Sequence, residues 1–179
     1  MNPKTLDLII RHRPYFEAVA AAHTEAAKRE NLSSQVIRAV SGAGAEPIRS
    51  VLAGMMTLET LHGPVAMARN IMRYGEAQFM METGYRVAGY GSSFVKGTPD
   101  PMLAGCERTL FEYDTMAGEF EWIGKIPTSI KAGRIGTRIY PNMAWYSAVL
   151  AELIEWPAGL EFLLVAALRA GAWAELLKK

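Results

Sequence analysis

The sequence has little of several features that mark common classes of protein. It holds a single cysteine, Cys106, in 179 residues, which excludes an internal disulfide, and no charged segment followed by an apolar stretch opens the chain. Lys and Arg total 19 against 18 Asp and Glu, so the basic excess of a nucleic-acid-binding protein is missing. No apolar run approaches the roughly 18 residues of a membrane-spanning helix. We therefore expect a cytoplasmic protein that binds neither nucleic acid nor membranes.

Histidines and metal-binding motifs are also scarce. None of the three histidines belongs to a pattern with metal-ligand spacing, and no Cys-x-x-Cys pair occurs, so we expect no metal site. His12 and His23 lie among charged residues of the first predicted helix, and we expect both to be solvated. His62 lies between an apolar helix and a Gly-Pro break, where a structural role and a functional role both stay open.

What the sequence does have is enough apolar material for a core, since 50% of its residues are hydrophobic and 21% are charged. Apolar residues recur at helical spacing, while alternation typical of strands is absent, so we predict an all-α fold. Glycine and proline crowd two segments, 84–101 and 124–138, which we predict to be loops. The predicted helices cover residues 4–29 with a bend or restart at Pro14, a short segment after 31–34, 46–61, 65–74, 103–120, and two closing helices that follow Pro141 and Pro157.

The glycine-rich loops carry several basic residues. An arrangement of this kind suits the binding of an anionic ligand, although solvated loop charge is an equally good interpretation. The segment Gly89–Ser93 is a weak nucleotide motif, because it lacks a preceding strand and the Gly-Lys-Ser/Thr ending of a phosphate loop. The basic loop residues are Lys96, Lys125, Lys131, Arg134 and Arg138.

Four segments, in order, resemble motifs of the citrate synthase family, which includes methylcitrate synthase and citryl-CoA lyase. Residues 58–64, preceded by Asn31-Leu32-Ser33-Ser34, are similar to the helix that ends in Gly-Pro-Leu-His-Gly-Gly. Residues 89–102 resemble the Gly-Tyr-Gly-His loop that closes with Asp-Pro-Arg. Residues 140–148 resemble Tyr-Pro-Asn-Val-Asp-Phe-Tyr-Ser-Gly, and Arg169 with Trp173 resembles the closing Arg-x-x-Gly-Trp. The resemblance covers about residues 30–178 and only the C-terminal portion of family members.

The resemblance implies a citrate-synthase-like helical fold with a shortened large lobe and a small lobe. In the family, two lobes close over a CoA thioester and an oxo acid, usually in a homodimer. We expect shortened large-domain helices in residues 1–75, a small-domain region with glycine-rich loops in 76–140, and C-terminal helices returning to the large domain in 141–179. The near-continuous apolar surface of 51–58 and 160–168 also favours a homodimer.

The resemblance also assigns roles to individual residues. In the family, an Asp removes a proton next to the thioester carbonyl, one His hydrogen-bonds the enol oxygen, and a second His polarises the oxo acid. His62 stands in the enol-stabilising place and Ser92 in the place of the second His. The expected substrate-binding residues are Arg169 and Ser93, and the expected CoA-binding residues are Lys96, Gly89, Gly91 and Arg134.

Three losses relative to the family pattern fall at the same site: Ala144 stands in the place of the catalytic Asp, Ser92 in the place of the second His, and Met102 in the place of the carboxylate-binding Arg after Asp-Pro. The upstream substrate His also has no counterpart in residues 28–30. An alanine methyl accepts no proton, so the condensation should be severely impaired, and microscopic reversibility applies the same limit to cleavage. Glu59 is a possible replacement base, or simply an exposed helical carboxylate.

Two hypotheses about function follow. The first is a protein that handles a CoA thioester and an oxo or carboxylic acid with altered or lost activity, of the acyl-CoA-dependent acyltransferase or citryl-CoA lyase type. The second is a non-catalytic ligand-binding or structural partner of a full-length homologue. The expected substrate is a CoA thioester, and we expect no metal.

Overall fold

A computed structural model describes residues 3–29, 65–69, 89–91, 95, 97–115, 130–132 and 137–177 of the chain. Helical residues make up 75% of this part, which confirms the predicted predominance of helix. Residues 65–69 are helical, and a 3-10 turn covers Pro101–Leu103. The helices are α1 (Pro3–Arg11), α2 (Arg13–Arg29), α3 (Ala104–Thr115), α4 (Met143–Leu153) and α5 (Glu161–Leu177), and the strands are β1 (Ile130–Ala132) and β2 (Thr137–Ile139).

The first helical segment is divided at His12, two residues before Pro14, which confirms the predicted restart. Pro14 is the second residue of α2, where the missing amide hydrogen costs no helical hydrogen bond. The prediction that His12 is solvated is wrong, because its side chain is 3% exposed. His12 lies at the junction of the two helices, and it is buried although its neighbours in the sequence are charged.

Helix α2 is central to the fold, because it packs against α3, α4 and α5. Tyr15, Val19 and Ala22 lie on one face of α2 at spacings of four and three, and all three are buried. The Tyr15 hydroxyl donates a hydrogen bond to the carbonyl oxygen of Tyr146 on α4, at 2.9 Å. This bond satisfies a polar group that is fully inside the core.

The two closing helices begin close to the positions that the prolines predict. Pro141 comes two residues before α4, and Pro157 comes four residues before α5. Residues 145–151 of α4 are buried on every face of the helix. An apolar helix of this kind has to be enclosed by other elements, and α2 and α5 both contact it.

A buried ion pair network holds the turn between α4 and α5. Arg69 contacts Glu152 through Nε at 2.6 Å and Glu161 through Nη1 at 2.7 Å. Its Nη2 donates to the carbonyl oxygen of Trp156 at 2.9 Å. Because Arg69 and Glu161 are each 2% exposed, removing one partner would leave an uncompensated buried charge. The network therefore fixes the start of α5.

The prediction that the segment 124–138 is a loop is only partly right, because it contains two short strands. Strands β1 and β2 pair antiparallel, with Ile130 opposite Ile139, and Ala132 opposite Thr137. Three residues are too few to show the alternation of apolar and polar side chains that identifies a strand in a sequence. The hairpin joins two of the predicted basic loop positions directly, since Lys131 pairs with Arg138.

No helix in the described ranges is both long enough and apolar enough to cross a membrane. The domain boundaries at residues 75 and 140 stay predictions.

Candidate ligand site

Only part of the predicted site belongs to the described residues. Gly89, Gly91 and Arg169 are described, as are Met102 and Ala144 at two of the places where the chain departs from the family pattern. The predicted residues that lie outside the described part are His62, Ser92, Ser93, Lys96 and Arg134, together with Glu59.

Two of the sequence motifs meet in space, although 51 positions separate Gly91 from Asn142. The amide of Gly91 donates to the carbonyl oxygen of Tyr140 at 2.8 Å, and the amide of Asn142 donates to that of Gly89, also at 2.8 Å. Tyr90 and Pro141 form an antiparallel bridge between these bonds. We call residues 89–91 and 140–142 together the motif junction.

The Asn142 side chain adds a third link to the motif junction and caps α4. Its Nδ2 donates to the carbonyl oxygen of Gly91 at 2.9 Å, while its Oδ1 accepts from the amide of Ala144 at 3.0 Å. An Asn at the N-cap satisfies amides that have no partner within the helix. One side chain therefore sets the position of the first turn of α4 relative to residues 89–91.

The two glycines of the motif junction are required for different reasons. Both have positive backbone φ angles, 88° for Gly89 and 83° for Gly91. A Cβ on Gly89 would lie 3.0 Å from Cε3 of Trp145 and 3.1 Å from Cβ of Ala68, whereas a Cβ on Gly91 would meet nothing within 4 Å. The Gly91 amide is used within the protein, and the space beside this residue is open.

Ala144 lies in the first turn of α4, directly after the motif junction. Its amide bonds to Asn142 and its side chain is half-buried against the core. The first turn of a helix favours a carboxylate, because the helix dipole and the free amides there attract negative charge. The backbone at this position is suited to an Asp, but the methyl group of Ala144 carries out no proton transfer.

Met102 lies in the 3-10 turn and packs against the core. Asp100 caps this turn by accepting a hydrogen bond from the amide of Met102 at 3.0 Å. The thioether therefore stands where the resemblance expects a guanidinium, and it contributes packing and no charge.

Arg169 is buried and takes part in a chain of side-chain hydrogen bonds that the sequence analysis missed. Its Nε donates to Nδ1 of His23 at 3.0 Å, and Nε2 of His23 lies 2.7 Å from Oγ of Ser147. His23 is 2% exposed and Ser147 is 0% exposed, so the prediction that His23 is solvated is wrong. His23 follows Tyr15 and Val19 at intervals of four, a helical spacing that indicates the buried face of α2.

The donors and acceptors in this series of side-chain hydrogen bonds can be assigned in only one way. Arg Nε always carries a hydrogen, so Nδ1 of His23 has to be the acceptor. In a neutral imidazole the other nitrogen is then the donor, and Nε2 donates to Ser147. The Ser147 hydroxyl in turn donates to the carbonyl oxygen of Met143 at 2.8 Å. We call this series, from Arg169 through His23 and Ser147 to Met143, the buried relay.

Burial keeps His23 neutral. The pKa of His23 is lowered from 6.5 to about 3, mainly because the imidazole is removed from solvent and, to a smaller extent, because Arg169 is positively charged. A second proton on the imidazole would also remove the acceptor on which the Arg169 Nε depends. His23 therefore acts as an orienting group in this fold and is not suited to acid–base work near neutral pH.

Other features of the described part offer less for chemistry. Burial raises the pKa of the Cys106 thiol to about 12, so this thiol is not a nucleophile near neutral pH. No three His, Cys, Asp or Glu side chains within the described ranges are grouped so that they could hold a metal ion. A groove of about 380 Å³ between α2 and α3 is lined by Met102, by the charged residues Glu25 and Arg108, and otherwise by small residues, but by none of the motif junction.

Comparison with known proteins finds no matching protein-family model, no matching curated protein and no matching solved structure.

Alanine substitutions at Gly89 and Gly91 should lower the free energy of unfolding by different amounts. Gly91→Ala should lower the free energy of unfolding by about 1 kcal/mol, because it adds only left-handed backbone strain. Gly89→Ala adds contact with Trp145 and Ala68 to the same strain and should cost about 3 kcal/mol. Urea unfolding of both variants beside the unaltered protein measures the difference. Equal losses would contradict the close packing around Gly89.

The stability of the protein should depend on pH through His23. The unfolded chain binds a proton at His23 below about pH 6.5, whereas the folded protein does so only near pH 3. The contribution of the neutral His23 imidazole to the free energy of unfolding is therefore complete above about pH 6.5. It is lost as the pH falls below this value, by about 1.4 kcal/mol per pH unit. Urea unfolding at pH 7, 6 and 5 should show a steeper loss for the unaltered protein than for His23→Gln. Parallel pH dependences would contradict the neutral, buried imidazole.

Proposed function

We propose that this protein has a citrate-synthase-like fold and binds a CoA thioester together with an oxo or carboxylic acid beside the motif junction. The observation that carries the proposal is the direct pairing of residues 89–91 with 140–142. These are two of the segments that resemble family motifs, and the resemblance gives each of them a role in ligand binding. Their contact across the chain is what a shared ligand site requires.

The arrangement around Ala144 limits the chemistry that this proposal includes. Formation of an enolate from the thioester needs a base within hydrogen-bond distance of the carbon-bound proton. Ala144 supplies none, and Met102 provides no charge for the carboxylate of the second substrate. The proposed function is therefore binding of both ligands, with the acyltransferase or lyase reaction of the family altered or lost.

A homodimer forms part of the proposal. Leu160 and Leu163, at the start of α5, stay 39% and 45% exposed. Large apolar side chains on the surface of a helix are typical of residues that a second subunit covers.

The second candidate function is a non-catalytic partner of a full-length family member. The observation that favours it is again Ala144, because a helix N-terminus that would suit a catalytic Asp carries a methyl group instead. In that case the ligand site would serve assembly or ligand sensing.

Restoring the carboxylate tests the proposal. Calorimetric titration with acetyl-CoA, with and without oxaloacetate, should show saturable binding to the unaltered protein, to Ala144→Asp and to the isosteric control Ala144→Asn. Exchange of the acetyl protons into deuterated water, followed by NMR, should be at least about 100-fold faster with Ala144→Asp than with Ala144→Asn, because only the carboxylate accepts a proton.

Two outcomes would contradict the proposal. Absence of saturable acetyl-CoA binding to the folded, unaltered protein would exclude a CoA site. Equal exchange rates for Ala144→Asp and Ala144→Asn, in the presence of binding, would mean that position 144 does not face the acetyl group.

A further inference from the structure

The β1–β2 hairpin places two basic residues opposite each other. In its antiparallel register Lys131 pairs with Arg138, and Ile130 pairs with Ile139 next to them. Successive residues of a strand alternate between the two faces of a sheet, so Lys131 and Arg138 share one face of the hairpin. The pair of isoleucines belongs to the opposite face. Residues that are directly opposite on one face have Cβ atoms about 5 Å apart.

The neighbouring residues Arg138 and Ile139 show which face of the hairpin is turned to solvent. Ile139 is half-buried and packs against the core, whereas Arg138 is exposed. The face that carries the isoleucines therefore covers the core, and the face shared by Lys131 and Arg138 lies on the outside of the protein. We call it the outer face of the hairpin.

The segment that contains the hairpin has no carboxylate of its own, because Asp and Glu are absent from residues 122–151. Within the described ranges, Arg138 also forms no ion pair. Like charges that are directly opposite on one face destabilise the pairing of two strands, and a two-stranded hairpin is marginally stable by itself. An anion bound at the outer face would remove this repulsion and stabilise the pairing of β1 with β2.

We propose that the outer face of the hairpin is a binding site for a phosphate monoester, which Lys131 on β1 and Arg138 on β2 bind together. A phosphate monoester carries close to two negative charges above pH 7, whereas a carboxylate carries one, so the phosphate matches the two cations. A guanidinium can bind two phosphate oxygens at once, and an ammonium acts as a point charge beside it. Neither the strand register nor this charge match depends on the proposed function.

Two kinds of ligand carry this chemical group. One is CoA, whose ribose bears a phosphate monoester, and the other is a smaller phosphorylated compound. The place of the hairpin in the chain is compatible with CoA, because Arg138 is two residues before Tyr140 of the motif junction. Two extended residues span at most about 7 Å, so a ligand beside the motif junction could reach the outer face.

Methyl phosphate and methyl sulfate test the site itself, since the two ions have the same shape but the sulfate carries a single negative charge. Titrations at pH 7.5 are followed by nitrogen-15 NMR of the backbone amides. Methyl phosphate should shift the amides of residues 130–132 and 137–139 saturably, and it should bind about tenfold more tightly than methyl sulfate, because only the dianion neutralises both cations.

Substitutions that remove one charge identify the residues that bind the phosphate. Lys131→Gln and Arg138→Gln should each weaken methyl phosphate binding by about tenfold, since each one loses a charged hydrogen bond. Arg108→Gln is the matched control, because it removes the charge of another exposed residue, on α3, and should leave the affinity unchanged. The amide spectrum outside the hairpin reports that each variant is folded.

Calorimetric titration with CoA and with dephospho-CoA, which lacks only the ribose phosphate, identifies the source of the phosphate. With CoA as the ligand, the unaltered protein should bind CoA about tenfold more tightly than dephospho-CoA, and Arg138→Gln should abolish this difference. Equal affinities for CoA and dephospho-CoA, with methyl phosphate still bound at the outer face, would assign the site to a smaller phosphorylated compound.

Failure of the phosphate site and failure of the proposed function are distinguishable. Methyl phosphate that leaves the hairpin amides unshifted, or that binds equally to Arg138→Gln and Arg108→Gln, would overturn the phosphate site, and saturable CoA binding would still support the proposed function. Methyl phosphate bound at the outer face without any binding of CoA would overturn the proposed function and support the phosphate site. Absence of binding in both experiments would overturn both proposals.

Discussion

The described structure depends most on the buried relay that runs from Arg169 through His23 to Ser147. Its three side chains come from α5, α2 and α4, so one line of hydrogen bonds joins the three helices that build most of the core. Burial of a guanidinium costs several kcal/mol, and this cost is tolerable only when its N–H groups are satisfied. Because each bond in the relay has one donor and one acceptor, a shift of any of these helices would leave a buried polar group without its partner.

The same helices determine the geometry of the motif junction. Helix α4 begins at the cap that Asn142 provides, and that side chain also holds Gly91. The Arg69 network fixes the beginning of α5, two turns before Arg169. The position of Arg169 and the position of the α4 N-terminus therefore have a common origin in the packing of α4 and α5 against α2.

The sequence predicts the helices well where proline marks their beginnings, because a fixed φ acts locally and Pro14, Pro141 and Pro157 need no tertiary context. The sequence does not predict the β1–β2 hairpin, because strands of three residues are too short to show an alternation of apolar and polar side chains. The prediction that His23 is solvated depends on its charged neighbours in the sequence, whereas helical spacing places it on the same face as Tyr15 and Val19. The contact between residues 89–91 and 140–142 is long-range, and no local periodicity encodes it. The roles of His62, Ser92, Ser93, Lys96 and Arg134 stay predictions, since these residues lie outside the described part.

The protonation state of His23 is the most direct test of this account, since the buried relay requires a neutral imidazole with its hydrogen on Nε2. Nitrogen-15 NMR of histidine-labelled protein, with His23 assigned by its absence in His23→Gln, distinguishes the two neutral tautomers and the protonated ring. We expect the Nε2–H tautomer at pH 7, and its persistence to about pH 4, because burial lowers the pKa of His23 to about 3. A hydrogen on Nδ1, or protonation with an ordinary pKa near 6.5, would contradict the buried relay.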